Sequence, residues 1–126
     1  MKRCRTHGFT LIELLVVMAI IATLLTIAVP RYFRSVEKSR EAVLRQDMTS
    51  MRDAIDKYYG DSGKYPAALD DLAVKKYLRA IPVDPMTDSA ATWLVIPPDD
   101  PEKGGVYDVH SGAPGKGLDG TFYASW

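Results

Sequence analysis

Glu13 is the single charged residue in positions 9–29, FTLIELLVVMAIIATLLTIAV, where the other polar side chains are Thr10, Thr23 and Thr26. A carboxylate in such a run is costly in lipid unless it is paired or reaches the interface, and ionisable groups inside a membrane mark function. Near a helix start it also suits the helix dipole. It can rest at the headgroup level, or it can meet a cation. Gly8 directly precedes the run. A cut after Gly8 would free the amine of Phe9, four residues before Glu13. In a packed array of such helices the amine of one subunit would meet Glu13 of its neighbour. The rest of the sequence is poor in reactive constellations. Cys4 is alone, which excludes an internal disulfide and a CxxC motif. His7 and His110 are the only histidines, too few for a zinc set. Neither a phosphate-binding loop nor a nucleophile elbow is present. Asp70-Asp71 and Asp99-Asp100 read as a helix start and a solvated loop, so no enzyme is expected.

The elements that would carry these residues follow from pattern. As a helix, the apolar run spans about 32 Å, the thickness of a bilayer's hydrocarbon core. The remaining chain is too small to wrap it, so a membrane span is expected. The basic start MKRCRTHG ends in glycine, and Pro30-Arg31 follow the run where a secretory signal would show small residues at a cleavage site. Any cut is therefore expected before the span, which stays in the mature protein. Lys2, Arg3 and Arg5 on one side face Arg31, Arg34, Lys38, Arg40 and Arg45 on the other, so counting charges does not orient it. The chain has 126 residues, 47% hydrophobic and 25% charged, with 16 basic and 16 acidic side chains. That is an ordinary folded composition. Its even charge, with twelve aromatics that punctuate strands, speaks against nucleic-acid binding.

Pro30 removes an amide donor for the Thr26 carbonyl. It marks either a kink at the membrane boundary or a weak point where the helix bends or melts during packing. Beyond it, Val36, Val43, Leu44, Met48, Met51, Ile55 and Tyr58 recur at helical spacing, with charges between them. Residues 9–59 are expected to form one long helix that stops near Tyr59, because Gly60-Asp61-Ser62-Gly63 is a breaker cluster. Residues 60–126 hold fifteen Gly or Pro. A short helix is expected at Asp70–Lys76, strands at Thr92–Ile96 and Gly105–His110 forming an antiparallel pair, and a third short piece at Phe122-Tyr123. The fold class is α+β: a long helix, its first half membrane-spanning, with a small sheet and a loop-rich head packed on its second half. The divisions are 1–8, 9–29, 30–59 and 60–126.

G-F-T-L-I-E-L-L-V-V behind a short basic leader closely resembles the processing and assembly motif of type IV prepilins and type II secretion pseudopilins. Gly63 to Pro66 (G-x-Y-P), Tyr77 to Pro85 (Y-L-x-x-I-P-x-D-P) and Tyr107 to Gly112 (Y-D-V-H-S-G) resemble the major, G-type pseudopilin in particular. Where many members have Trp-Gly-Asn after Asp-Pro, this chain has Met86-Thr87-Asp88. The resemblance implies that a membrane-embedded prepilin peptidase cuts between Gly8 and Phe9 and methylates the Phe9 amine, and that Glu13 guides stacking into a filament. It implies a cytoplasmic leader (1–8), a single-pass helix in the bacterial inner membrane and a periplasmic head. Its implied partners are other copies of the chain, minor pseudopilins, an inner-membrane platform protein and its cytoplasmic ATPase.

Members of this family commonly bind calcium in the loop corresponding to Ser111–Asp119. Here Ser111 and Asp119 are the candidate calcium ligands; Asp108 is near but alternates in direction with Val109, and Lys116 and Pro114 are poor neighbours for a dication. The rival reading of the loop is a structural turn held by Gly, Pro, Tyr123 and Trp126. The expected function is that of a structural subunit of a periplasmic filament serving type II secretion. Its alternatives are a type IV pilin or minor pilin for adhesion, motility or DNA uptake, and a monomeric, membrane-anchored periplasmic binding module.

Overall fold

A computed structural model describes residues 8–126, so the leader charges Lys2, Arg3 and Arg5, with Cys4 and His7, lie outside the described residues. The chain divides into two compact units, Met1–Val36 and Glu37–Trp126. Helix α1 runs Leu11–Ser62. In the first unit every described residue up to Ser35 is exposed, including the whole apolar run. That run is long and apolar enough to cross a membrane, with a mean hydropathy of 2.7. Its interior hydroxyls are satisfied locally. Thr23 donates to the Ala19 carbonyl at 2.7 Å, and Thr26 donates to the carbonyls of Ala22 and Thr23 at 3.0 and 2.6 Å. The helix continues through Pro30.

The helix ends three residues later than the breaker cluster suggests. Gly60 is accommodated inside it, and the stop is set by Gly63, whose φ of 74° is the left-handed conformation of a helix-ending glycine. Gly63 N–H donates to the Tyr59 carbonyl at 2.8 Å. The hydroxyl of Ser62 turns back to the carbonyls of Tyr58 and Lys64.

In the second unit, α2 (Asp71–Val74) is followed by β1 (Leu94–Ile96) and β2 (Asp108–His110), an antiparallel pair in which Leu94 faces His110 and Ile96 faces Asp108. The strands are shorter than the pattern suggests, because Trp93 leaves the ladder to fill the core and Gly105-Val106 bond to the Pro66 carbonyl. The expected third piece resolves into a single bridge, Lys116 with Phe122, and a 3-10 turn, Tyr123–Ser125. The fold is α+β, as expected.

Leu44, Met48 and Met51 of α1 pack with Trp93, Val109, Ala113 and Tyr123. Ala54 and Ile55 pack with Leu72 and Val106. Val43, expected in this stripe, is half exposed, since it falls off the face defined by 44, 48, 51 and 55. Glu41, expected on a solvated face, is buried. The loop between α2 and β1 is tied inward by Asp84, fully buried, whose carboxylate accepts from Met86 N–H at 2.8 Å and from the Ser111 hydroxyl at 2.5 Å. Gly112 lies so close to the Thr92 carbonyl that any Cβ would collide with it, which explains the glycine after Ser111.

Truncating Leu44 to Ala should therefore destabilise the head by roughly 2–5 kcal/mol. Leu15→Ala in the exposed run should leave head unfolding, followed by near-ultraviolet circular dichroism in detergent, unchanged.

Candidate assembly site

The start of α1 is a capping box. Thr10 Oγ1 accepts from Glu13 N–H at 3.1 Å, and Glu13 Oε2 accepts from Thr10 N–H at 3.1 Å, with the Thr10 hydroxyl 3.4 Å from the same oxygen. The two side chains thus satisfy each other's backbone donors reciprocally. Thr10-x-x-Glu13 ahead of an apolar run is the sequence signal for this arrangement, and reading Glu13 only as an ion-pair partner misses it. The box settles the carboxylate beside the unpaired amides and positive dipole end of the helix, where a negative charge is least costly. Phe9 precedes the box and is 91% exposed. A Cβ added at Gly8 would meet nothing within 4 Å. The folded chain itself therefore places no steric demand for glycine at that position. Gly8, Phe9 and Glu13 are brought together at the helix start; Pro30 lies four turns and more along α1.

In the head, the two candidate calcium ligands serve separate networks. The buried Ser111 hydroxyl donates to Asp84 and accepts from Ala113 N–H at 3.1 Å. Asp119 accepts from Thr121 N–H at 3.0 Å and from the Thr121 hydroxyl at 2.6 Å, and it faces the Arg45 guanidinium at 3.4 Å. These bonds, Thr121's hydroxyl first and its amide next, with Arg45 adding to them, hold the Asp119 carboxyl below the usual carboxylate range. Among the described residues no group of three or more His, Cys, Asp or Glu could hold a metal. Calcium takes six to eight oxygens. Ser111 and Asp119 as arranged do not fit that ion, and the positive charge beside Asp119 is supplied by Arg45.

What holds the loop is one face of α1. Glu41 Oε1 accepts from Leu118 N–H at 2.8 Å and from the Tyr123 hydroxyl at 3.0 Å. Arg45 lies over the Trp126 ring at 3.8 Å. Arg52 reaches Asp108 Oδ1 at 2.8 Å and the carbonyls of Val109 and Trp126 at 3.1 and 2.7 Å. The long side chain of Arg52 thus meets Asp108 at the strand's margin, while Val109 faces the core against α1. Burial, reinforced by the bond to Glu41, pushes the Tyr123 phenol up to about 12.

The chain matches the family model for the prokaryotic N-terminal methylation motif over residues 3–29. It is 31% identical to the type II secretion system core protein G of Pseudomonas aeruginosa, an alignment covering 92% of this chain and 89% of that protein. The chain belongs to the core protein G family. Its likeness to the Escherichia coli K12 core protein G is 27% over 87% of this chain and 83% of that relative. The fimbrial protein EcpC of Eikenella corrodens is 42% identical over 48% of this chain and 39% of its own length. No solved structure matches the chain. Within this member of the core protein G family, the capping box lies inside the matched methylation motif, and the loop held by Glu41, Arg45 and Arg52 lies outside it.

Two outcomes follow for the solubilised chain. Its melting temperature should be the same in excess calcium and in excess chelator, while Arg45→Gln should lower it slightly in both. The Tyr123 phenol is raised in the fold, so its contribution is fully present below the unfolded value near 10 and is lost as pH climbs toward 12. Tyr123→Phe should remove that alkaline loss, read as melting temperature against pH.

Proposed function

We propose that this chain is the repeating structural subunit of a pseudopilus, the filament of a type II secretion system. One observation carries the reading: an apolar helical run long enough to cross a membrane, opened by the only carboxylate within it. Membership of the core protein G family supports it. In lipid the run is satisfied by the membrane, and in a filament by the same run of neighbouring copies. The subunit is thereby storable in one setting and stackable in the other.

In this reading the Gly8–Phe9 peptide is the cleavage point of a membrane-embedded prepilin peptidase. The open space around Gly8 suits an enzyme that must reach the backbone there. Cleavage turns Phe9 into a free amine, which the peptidase methylates while its positive charge remains. Glu13, held at the helix start by Thr10, then presents its carboxylate to the Phe9 amine of an adjacent copy. Unpaired, that carboxylate is costly in lipid; paired, it fixes the axial stagger between subunits. The leader is cytoplasmic and the head periplasmic. Extraction from the membrane is driven by partners, a platform protein with its cytoplasmic ATPase, and minor pseudopilins begin the filament.

The decisive test combines electron microscopy of cells overproducing the chain with mass spectrometry of its N-terminus. Filaments are expected, built from subunits that begin at a methylated Phe9. Glu13→Ala should leave the chain processed and membrane-bound but reduce filaments at least tenfold and abolish export. An uncharged anchor that exports as well as the unaltered protein would instead fit a monomeric binding module.

A further inference from the structure

The apolar run ends at Val29, and the next residues are Pro30-Arg31-Tyr32-Phe33-Arg34. At 1.5 Å per residue, Arg31 lies about 3 Å and Arg34 about 7.5 Å beyond the run. The headgroup layer of one leaflet is about 5–8 Å thick, half the difference between a whole bilayer and its hydrocarbon core. Both guanidiniums therefore fall at headgroup depth. Three apart on a helix, they are surface neighbours. Both are exposed, and among the described residues neither forms an ion pair with a carboxylate. No acidic residue occurs between Glu13 and Glu37, and of these only Glu37, three residues past Arg34, is near the pair in sequence. Tyr32 and Phe33 lie between them, 66% and 65% exposed, with their rings edge to face at 5.9 Å. Exposed aromatics immediately past an apolar span are the side chains that settle at a membrane interface. Arg presents a planar fork matched to phosphate oxygens.

We propose that Arg31, Tyr32, Phe33 and Arg34 form a collar that binds the phosphate headgroups of anionic lipids at the outer edge of the span. The two guanidiniums take the phosphates, and the two rings lie among the upper acyl chains and glycerol groups. The collar rests on the membrane-spanning reading above and adds to it a lipid class and the residues that select it. It also accounts for basic side chains on the side of the membrane where charge counting alone would not place them.

The test uses the full-length chain, purified in mild detergent with equal amounts of phosphatidylglycerol and phosphatidylcholine, and native mass spectrometry of the lipid it retains. The protein should keep phosphatidylglycerol over phosphatidylcholine by roughly thirtyfold, the combined effect of two basic side chains at an anionic surface. Arg31→Gln with Arg34→Gln should bring the ratio close to one, while the Lys pair at the same positions should keep most of it. Equal retention of the two lipids by the unaltered chain, or an unchanged ratio in the Gln pair, overturns the collar. Alkaline carbonate washing of membranes separates this from failure of the underlying reading: a chain that washes off does not span the membrane, whereas a collar that fails leaves the chain embedded.

Discussion

Leu44, Met48, Met51 and Ile55 stand on one stripe of α1, and both clusters of the head's core are built against them. The segment after the helix, with its many glycines and prolines, has too little apolar surface of its own to close a core at this size. Its buried side chains, among them Leu72, Trp93, Val109 and Tyr123, come from separate stretches and converge because the helix gives them a common floor. The strand pair is correspondingly slight. Three residues on each side suffice to set Val109 inward, and the remaining ladder positions stay near the surface.

A second constraint is polar. With a single cysteine, the chain has no internal disulfide to fasten its last ten residues. Glu41, Arg45 and Arg52 perform that task from one side of the same helix, through a backbone amide, a hydroxyl, a carboxylate and carbonyls. Burying Glu41 is tolerable because both of its contacts are donors, the amide of Leu118 and the phenol of Tyr123. The helix face is therefore apolar at its centre and ionic along its margin, and the head needs both.

The long apolar helix with its lone acid could be read from residue types alone, because few folds use an uninterrupted apolar run of that length. The reciprocal bond between Thr10 and Glu13 is equally legible in their spacing, because Thr-x-x-Glu ahead of an apolar run is a capping signal. The helix end shows the opposite. Gly60 has the composition of a terminator, but only backbone geometry distinguishes a glycine tolerated in a helix from Gly63, which must adopt positive φ. Glu41 was misplaced because charge was given more weight than phase: it precedes Leu44 by three and Met48 by seven, on the buried stripe. The separate engagements of Ser111 and Asp119 depend on Asp84, Thr121 and Arg45, distant in sequence, and no local pattern announces them.

Strand β1 shows Leu94, Val95 and Ile96 to solvent, an apolar rim of the kind through which sheets from different molecules fuse. Pro97 and Pro98 follow the strand at once, and proline has no amide to lend to an incoming chain. The rim is thus kept too short to template another strand.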